Sequence, residues 1–256
     1  MTTLTTKHQR LAALRPLSPE SVASLAAAWD VRMVYESNSI EGNSLTLRET
    51  EIVISKGVTV SGKPLKDHME AVNLMQAWER VKALAQPDAS LTENNLLDLH
   101  RIVLTRVEDN FAGSYRTSTV RIAGANFIPP NPIKVPDLMT ELFAGLGTIA
   151  DPVKRAARLH HGIAQIHPFA DGNGRTARLA MNFTLLAAGY PPISIPTDLR
   201  QAYYSALEAA DSGYFPTWQN FLTTQLDHEL DLWLDALGET QDIRLEDPRT
   251  EHPASS

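Results

Sequence analysis

The stretch QIHPFADGNGRTARLAMN, residues 165–182, decides how the rest of this chain is interpreted. It contains a histidine, a carboxylate, a glycine-bracketed turn and two arginines three positions apart. These residues are His167, Asp171, Gly172, Asn173, Gly174, Arg175 and Arg178. Each belongs to a residue type that proteins use to bind or activate phosphate groups, so the stretch predicts a phosphate site.

The turn and the arginines suit an anion for separate physical reasons. A glycine-bracketed turn that leads into a helix leaves backbone N–H groups without intrahelical partners, and the helix dipole favours negative charge there. Arg175 and Arg178 are about one helical turn apart, so we expect both on one face of that helix. Guanidinium groups bind phosphate oxygens in a bidentate manner, and two of them suit a polyphosphate.

The carboxylate and the histidine complete a catalytic set. Asp171 offers one hard oxygen ligand, which is how Mg²⁺ is commonly held when phosphates and waters fill its other positions. His167 precedes the turn and can accept a proton near neutral pH. An exposed loop, with Asp171 as a helix cap and the arginines solvated, would account for any one of these residues. It does not account for all of them within a dozen positions.

The same residues carry a family resemblance. The segment HPFADGNGRTAR is similar to the signature HxFx(D/E)GNGRxxR of Fic-domain proteins and matches every fixed position. The resemblance spans about residues 29–221 and implies an all-α, mainly helical fold with a small β-hairpin flap. It also implies transfer of AMP from ATP, with Mg²⁺ or Mn²⁺, to a Tyr, Thr or Ser hydroxyl of a target protein. It assigns catalysis to His167, the metal to Asp171, and the phosphates to Gly172, Asn173, Gly174, Arg175, Thr176 and Arg178.

A second motif gains meaning only through this resemblance. On its own, Glu41-Gly42 indicates the end of a helix, because glycine readily adopts the left-handed conformation found there. Residues Ser37, Glu41 and Gly42 match (S/T)xxxE(G/N), the inhibitory motif of many Fic proteins. The resemblance implies that Glu41 pairs with Arg178 and prevents Arg178 from holding the γ-phosphate of ATP. We therefore expect an autoinhibited enzyme.

Two further regions are predicted to border the nucleotide. Segment 114–128 has apolar residues on both sides of a turn at Gly124 and ends in prolines, which predicts a short β-hairpin. In the family this flap covers the active site and pairs with the target as an added strand. The resemblance assigns the base and ribose side to Tyr203, Asp211, Val120, Ile122 and Ala123. Core packing is an equal alternative for Tyr203, and Asp211 departs from the asparagine that is common at its position.

Helical periodicity divides the chain into three parts. Residues 1–28 are predicted as an N-terminal helical segment, 29–237 as the core, and 238–256 as a disordered acidic tail. The functional parts of the core are the inhibitory helix at about 31–42, the flap at about 114–128, and the signature loop and helix at 167–188.

Helix boundaries inside the core carry recognisable capping residues. Thr46 with Glu49 predicts a capping box, and Asp151 before a proline predicts a helix start. Gly57 predicts the end of the helix that Thr46 begins.

Composition argues against several other functions. Lys and Arg number 23 against 30 acidic residues, a net charge of −7, which argues against a broad nucleic-acid or anionic-membrane surface. The chain has no cysteine, which removes disulfides, thiolate catalysis and cysteine zinc sites. No apolar run approaches the ~20 residues that a membrane-spanning helix needs, and no signal-peptide pattern is found. We expect a cytoplasmic protein that binds ATP and a protein target, but neither membrane nor nucleic acid.

More than one activity remains open at this point. Glu41 could instead position a water that removes AMP from a modified protein, as in some relatives with this motif. A non-enzymatic protein that senses nucleotides and acts by binding partners is a third interpretation. The chain itself is one candidate target for AMP transfer. Helical cores of the family often pair, so a homodimer is a further expectation.

Overall fold

The computed structural model of the chain describes residues 3–14, 19–121 and 127–245, with the backbone alone for residue 3 and for 19–25 and 239–245. These residues form α-helices and two short 3₁₀ helices but no strand, which confirms the predicted all-α class. No helix within the described ranges is both long and apolar enough to cross a membrane. The α-helices are α1 (Thr3–Ala13), α2 (Pro19–Ile40), α3 (Leu47–Lys56), α4 (Leu65–Leu84), α5 (Glu93–Leu104), α6 (Val135–Leu146), α7 (Pro152–Ile166), α8 (Asn173–Ala187), α9 (Arg200–Asp211) and α10 (Phe215–Leu245).

Several helices begin and end where the local sequence chemistry predicts. At the start of α3, the Glu49 N–H donates to Thr46 Oγ1 (3.2 Å) and the Thr46 N–H donates to Glu49 Oε2 (2.8 Å). This reciprocal pair is the predicted capping box. Gly57 ends α3 in the left-handed conformation, with φ 64°. Asp151 caps α7 by accepting hydrogen bonds from two N–H groups of its first turn.

Helix α8 is the central element of the core. All of its residues except Gly174 and Leu186 are buried. Three apolar clusters contribute to its surroundings, one shared with α9 and α10, one with α2, α4 and α5, and one with α6 and α7. A helix packed on all sides is held firmly, so the polar residues at its N-terminal end have fixed positions.

The loop between α7 and α8 brings two helix ends together. Helix α7 ends at Ile166, and His167 follows it in the left-handed conformation, with φ 51° and ψ 59°. Gly172, also left-handed with φ 76°, precedes α8. Left-handed backbone is uncommon for a residue with a side chain, so His167 is held there by its surroundings.

The structure moves two of the predicted domain boundaries. Helix α2 runs without a break through residues 28 and 29, so the predicted division between an N-terminal segment and the core lies inside it. Leu11 of α1 is buried in the cluster that includes α9 and α10, which joins α1 to the core as well. Helix α10 continues past residue 238 to Leu245. The predicted tail at 238 therefore begins within a helix, and residues 246–256 lie outside the described part.

The predicted β-hairpin is not found in the described part of segment 114–128. Residues 114–121 and 127–128 form no strand, and 122–126 lie outside the described residues. In a β-hairpin the Arg116 N–H could have bonded to a carbonyl of the paired strand. Here it donates to the Pro168 carbonyl (2.9 Å). This segment is thus fixed to the loop between α7 and α8.

Close packing of α6 against α7 depends on Gly162 and can be tested. An ideal Cβ on Gly162 would lie 2.5 Å from Leu142 Cδ1, whereas one on Gly145 of α6 would meet nothing within 4 Å. Alanine favours a helix by up to about 1 kcal/mol over glycine at either position. Crowding at residue 162 costs about 1–3 kcal/mol. We expect Gly162→Ala to have a lower free energy of unfolding in urea than the matched control Gly145→Ala. Equal values would mean that Leu142 moves aside without cost.

Candidate active site

A cavity of about 560 Å³ opens where α7, α8 and α9 meet. Small-molecule sites commonly have volumes of about 300–1,000 Å³. The start of α8 forms part of its wall, so the positive end of that helix dipole faces the cavity. The polar and charged side chains that line it are Glu41, Arg121, His161, His167, Asp171, Asn173, Arg178, Arg200, Gln201, Tyr203, Tyr204, Glu208 and Asp211.

His167 has the geometry and protonation state of a base. Its Nδ1 lies 3.2 Å from the Ala164 carbonyl. A carbonyl only accepts, so this contact places the proton on Nδ1 and leaves Nε2 as an acceptor. Burial lowers the pKa of His167, the Ala164 carbonyl opposes this effect, and the Arg116 charge adds to it. The imidazole is therefore neutral near pH 7.

The first turn of α8 is arranged for an anion. Gly172 is the N-cap residue, and no side chain among the described residues caps the helix. The Asn173 side chain accepts from the Phe169 N–H (2.9 Å) and donates to the Phe169 carbonyl (2.9 Å). It therefore fixes the loop, which leaves the backbone of Asn173 for a ligand. N–H groups at the start of a helix lack intrahelical partners and favour negative charge.

The Asp171 carboxylate is partly engaged and partly free. Its side chain is 44% exposed and lines the cavity. Its Oδ1 accepts from the Gly172 N–H (2.6 Å) and lies 3.4 Å from Arg175 Nη2. Within the described residues only Oδ1 has a bonding partner, so Oδ2 is available to a cation.

Arg178 is buried, and each nitrogen of its guanidinium is bonded. Nε donates to Ser37 Oγ (2.8 Å), and Nη2 donates to the Ser37 carbonyl (2.8 Å). Nη2 also donates to Glu41 Oε1 (2.7 Å), and Nη1 lies 3.4 Å from the Tyr203 hydroxyl. Burial acts to lower the pKa of Arg178, but Glu41 and Tyr203 together outweigh burial and the pKa is raised. The end of α2 and the middle of α8 are thus joined through one cation.

Gly174 provides the space for the Glu41 carboxylate. An ideal Cβ on Gly174 would lie 2.2 Å from Glu41 Oε1 and 3.0 Å from Arg178 Nη1. No other residue type leaves this space empty. Gly42, with φ 94°, turns the chain directly after Glu41. A carboxylate therefore lies beside the first turn of α8, where N–H groups favour an anion.

Arg175 and Thr176 do not line the cavity, and their predicted role in phosphate binding remains a prediction. Arg175 is 2% exposed, and its Nη1 lies 3.1 Å from Glu70 Oε1 on α4. Thr176 is fully buried. Each residue of an α-helix is rotated by about 100° from the one before it. Thr176, two positions after Gly174, therefore points away from the cavity and into the core.

The far wall of the cavity holds the two residues predicted for the base and ribose. Tyr203 lines the cavity and is also 1% exposed within an apolar cluster, so both of its predicted roles, wall and core, are compatible with its position. Its hydroxyl lies 3.0 Å from His160 Nε2. Asp211 lines the cavity too, and its Oδ1 lies 2.9 Å from His161 Nε2. His161 thus holds Asp211 in place through Oδ1 and does not contact Oδ2.

The flap side of the cavity differs from the prediction by one residue. Arg121 lines the cavity, whereas Val120, partly buried, does not. Ile122 and Ala123 lie outside the described residues, and their roles remain predictions.

Three buried polar residues near the site were not identified from the sequence. Each makes its contact across at least 51 positions of the chain, so no local spacing marks it. The one available signal was a charged residue among apolar neighbours in a predicted helix or extended segment. The residues are Glu70, which faces Arg175; His100, whose Nε2 lies 3.0 Å from the Asp171 carbonyl; and Arg116, which donates to the His167 carbonyl.

Comparison with known proteins identifies relatives for most of the chain. The sequence model of the Fic/DOC family matches residues 90–185. The protein adenylyltransferase Fic of Aedes aegypti is 35% identical over 214 residues, which cover 82% of this chain and 42% of that protein. The protein of the same name from Drosophila melanogaster is 36% identical over 205 residues, which cover 78% and 41%. This chain thus spans less than half the length of these relatives.

A solved structure matches over almost the whole of both chains. It is the crystal structure of a Fic-domain-containing signaling protein from Bacteroides thetaiotaomicron, with a TM-score of 0.86 and 30% identity. The match covers 93% of this chain and 98% of that chain. It therefore extends well beyond the 90–185 segment. With this agreement in structure and a complete signature in sequence, the chain belongs to the Fic/DOC family.

Proposed function

We propose that this chain transfers AMP from ATP to a hydroxyl side chain of a protein target, and that Glu41 suppresses this activity. The observation that carries the proposal is that His167, Asp171, the first turn of α8 and Arg178 open onto one cavity. The relatives named protein adenylyltransferase support the reaction class.

The proposed step is a substitution at the α-phosphorus of ATP. The hydroxyl oxygen of a Tyr, Thr or Ser forms a bond to the α-phosphorus. The bond between the α-phosphorus and the oxygen that bridges it to the β-phosphorus breaks. Pyrophosphate leaves, and the hydroxyl proton passes to Nε2 of His167. Positioning and electrostatic stabilisation supply most of the catalysis in such transfers. A site built from fixed helix-end donors and a neutral histidine fits this requirement.

The cavity wall offers a place for each part of ATP. The N–H groups at the start of α8 suit the charge that develops on the α-phosphate. Arg178 suits the outer phosphates, because its guanidinium faces the same cavity. Tyr203 and Asp211 suit the base and ribose, and the Asp211 carboxylate can accept a hydrogen bond from a ribose hydroxyl.

Asp171 fits a divalent cation, Mg²⁺ or Mn²⁺, that enters with ATP. Mg²⁺ commonly takes one or two carboxylates and completes its octahedron with phosphate oxygens and waters. The exposed Asp171 side chain, with Oδ2 available, meets that requirement. A cation bound there would offset phosphate charge. The Gly172 N–H fixes the carboxylate through Oδ1.

Glu41 provides a reason for low basal activity. A γ-phosphate and the Glu41 carboxylate would compete for the Arg178 guanidinium, and their like charges repel at short distance. Glu41 Oε1 also lies close to Gly174, at the anion-binding end of α8. ATP that enters beside Glu41 is therefore expected in a pose unsuited to attack on its α-phosphate.

Replacement of Glu41 by Gln tests the inhibitory contact. The change keeps the size of the side chain and removes its charge. Hydrogen bonds to charged groups contribute about 1.5–3 kcal/mol, so we expect protein labelling by radioactive ATP to rise about 10-fold to 100-fold. The matched control is Glu36→Gln, because Glu36 lies on the same helix and bonds to Ser194 instead. The control should label like the unmodified chain.

Two further measurements test whether His167 is the base and whether the chain removes AMP instead of adding it. His167→Ala combined with Glu41→Gln should lower labelling by about 10²-fold or more, because general-base catalysis commonly contributes that much. Labelling that persists would remove His167 from its role. Release of AMP from a modified target by the unmodified chain, lost in Glu41→Gln, would assign hydrolysis to this site instead.

Replacement of Asp171 by Asn tests the metal. Asparagine keeps an acceptor oxygen for the Gly172 N–H but loses the charge that a cation needs. In the Glu41→Gln background we expect Asp171→Asn to require roughly tenfold or more Mg²⁺ for half-maximal labelling. Glu208→Gln, which changes another carboxylate on the cavity wall, is the control and should leave the Mg²⁺ requirement unchanged. An unaltered requirement in Asp171→Asn would place the cation elsewhere.

A further inference from the structure

Arg116 is a buried cation whose guanidinium bonds, among the described residues, only to backbone carbonyls. It is 4% exposed. Its guanidinium donates to the carbonyls of His167 (Nε, 2.7 Å), Ile166 (Nη2, 3.5 Å), Ser118 (Nη1, 3.0 Å) and Pro130 (Nη2, 2.6 Å). Burial lowers the pKa of Arg116, and no carboxylate within the described residues offsets it through an ion pair.

A buried charge without a countercharge is costly, so its contacts need a specific explanation. Taking an ion out of water costs several kcal/mol, as an order of magnitude, unless a partner charge compensates for it. The other two buried arginines near the site have such partners, since Arg175 faces Glu70 and Arg178 faces Glu41. A neutral side chain could have filled the place of Arg116 at lower cost. What a neutral side chain lacks is a rigid fork of donors.

The fork and the backbone of Arg116 together hold three successive peptide groups around His167. The side chain bonds to the carbonyls of residues 166 and 167, and the Arg116 N–H bonds to the carbonyl of Pro168 (2.9 Å). His167 is left-handed, a conformation that costs of order 1–3 kcal/mol for a residue with a side chain. Fixing the peptides on both sides of His167 fixes this conformation and with it the direction of the imidazole.

The same guanidinium joins the two ends of segment 118–130. One nitrogen bonds to the Ser118 carbonyl and another to the Pro130 carbonyl. The segment that leads to Arg121 on the cavity wall is therefore attached to the peptides around His167.

We infer that Arg116 is a positioning residue, which holds His167 in its left-handed conformation and fixes the carbonyls of Ser118 and Pro130 relative to it. Arg116 does not line the cavity, so it acts through His167 and not on the substrate. The inference rests on the proposed adenylyl transfer for its rate measurement but not for its structural measurement.

Arg116 also influences the charge state of His167, which provides a second readout beside the rate. The charged groups that act on His167 are Arg116, Glu41 at the end of α2, and Asp171 in the loop, together with the Ala164 carbonyl of α7. A neighbouring cation disfavours the imidazolium. Removal of Arg116 should therefore raise the pKa of His167 and move the acid limb of the pH–rate profile to higher pH.

The experiment compares Arg116→Gln and Arg116→Lys with Arg155→Gln, each made in the Glu41→Gln background. Arg155 is the matched control, since it also bonds to carbonyls, those of Ile149 and Ala150, and does not line the cavity. We measure kcat and KM for ATP, the pH–rate profile, and titration of the His167 ring by NMR. The His167 signal is assigned by its loss in His167→Ala.

Arg116→Gln is expected to lower kcat by about 10²-fold, as small misplacements of catalytic groups do, with KM for ATP changed much less. Its His167 titration should move to higher pH. Arg116→Lys keeps the charge but loses the fork, so kcat should fall while the titration stays near that of the background. Arg155→Gln should change neither quantity.

Two results would overturn the inference. One is a kcat in Arg116→Gln within twofold of Arg155→Gln, and the other is an unchanged His167 titration in Arg116→Gln. If Arg116→Gln does not fold, Arg116→Lys decides the question through kcat, and retention of full activity there overturns the positioning role. If the Glu41→Gln background shows no labelling at all, the proposed function fails, and the titrations still decide whether Arg116 acts on His167.

Discussion

The bond network of Arg178 is the interaction on which the candidate site depends. A buried guanidinium is tolerated only when its donors and its charge are both satisfied. Here the donors are satisfied by Ser37, Glu41 and Tyr203, which belong to helices at opposite ends of the sequence. The cavity is therefore assembled around one cation, and residues of the α2 end and of α9 meet at it.

Three buried arginines near the cavity satisfy this requirement in different ways. Arg175 faces the buried carboxylate of Glu70 on α4, so its charge is matched inside the core. Arg178 is matched by Glu41, whose side chain is 31% exposed. Arg116 is matched by no carboxylate of the described residues and is held by carbonyl dipoles alone. The partner of Arg178 is the one that water can reach, which makes this contact the easiest of the three to exchange.

The sequence predicts the parts of the site that depend on local chemistry. The loop, the start of α8 and the caps of α3 and α7 follow from residues within a few positions of one another. Contacts across the fold were predictable only where the family signature names both partners, as for Glu41 and Arg178. The partners of Glu70 and Arg116 are not named in the signature, because packing of the fold brings them together. The contact of Arg175 with Glu70 was not predictable for the same reason, since helix spacing does not show what faces each side.

The turn that follows Glu41 is anchored independently of Arg178. Asn43 donates to the Asp67 carbonyl (3.0 Å) and to Glu70 Oε2 (2.9 Å), and the Ser44 N–H and hydroxyl both bond to Asp67 Oδ2. These bonds tie the end of α2 to α4 whether or not Glu41 contacts the arginine. Because that anchoring would survive the loss of one carboxylate, departure of Glu41 does not require α2 to move away from the core.

Ser37 keeps two bonds to Arg178, so the guanidinium stays in place when Glu41 leaves. Gly174 leaves open the space beside the first turn of α8, and that space does not close when the carboxylate rotates out of it. Rotation of a partly exposed side chain is a far smaller change than displacement of a packed helix. For the proposed inhibition by Glu41, the fold therefore favours control by the rotamer of this one glutamate over control by movement of α2.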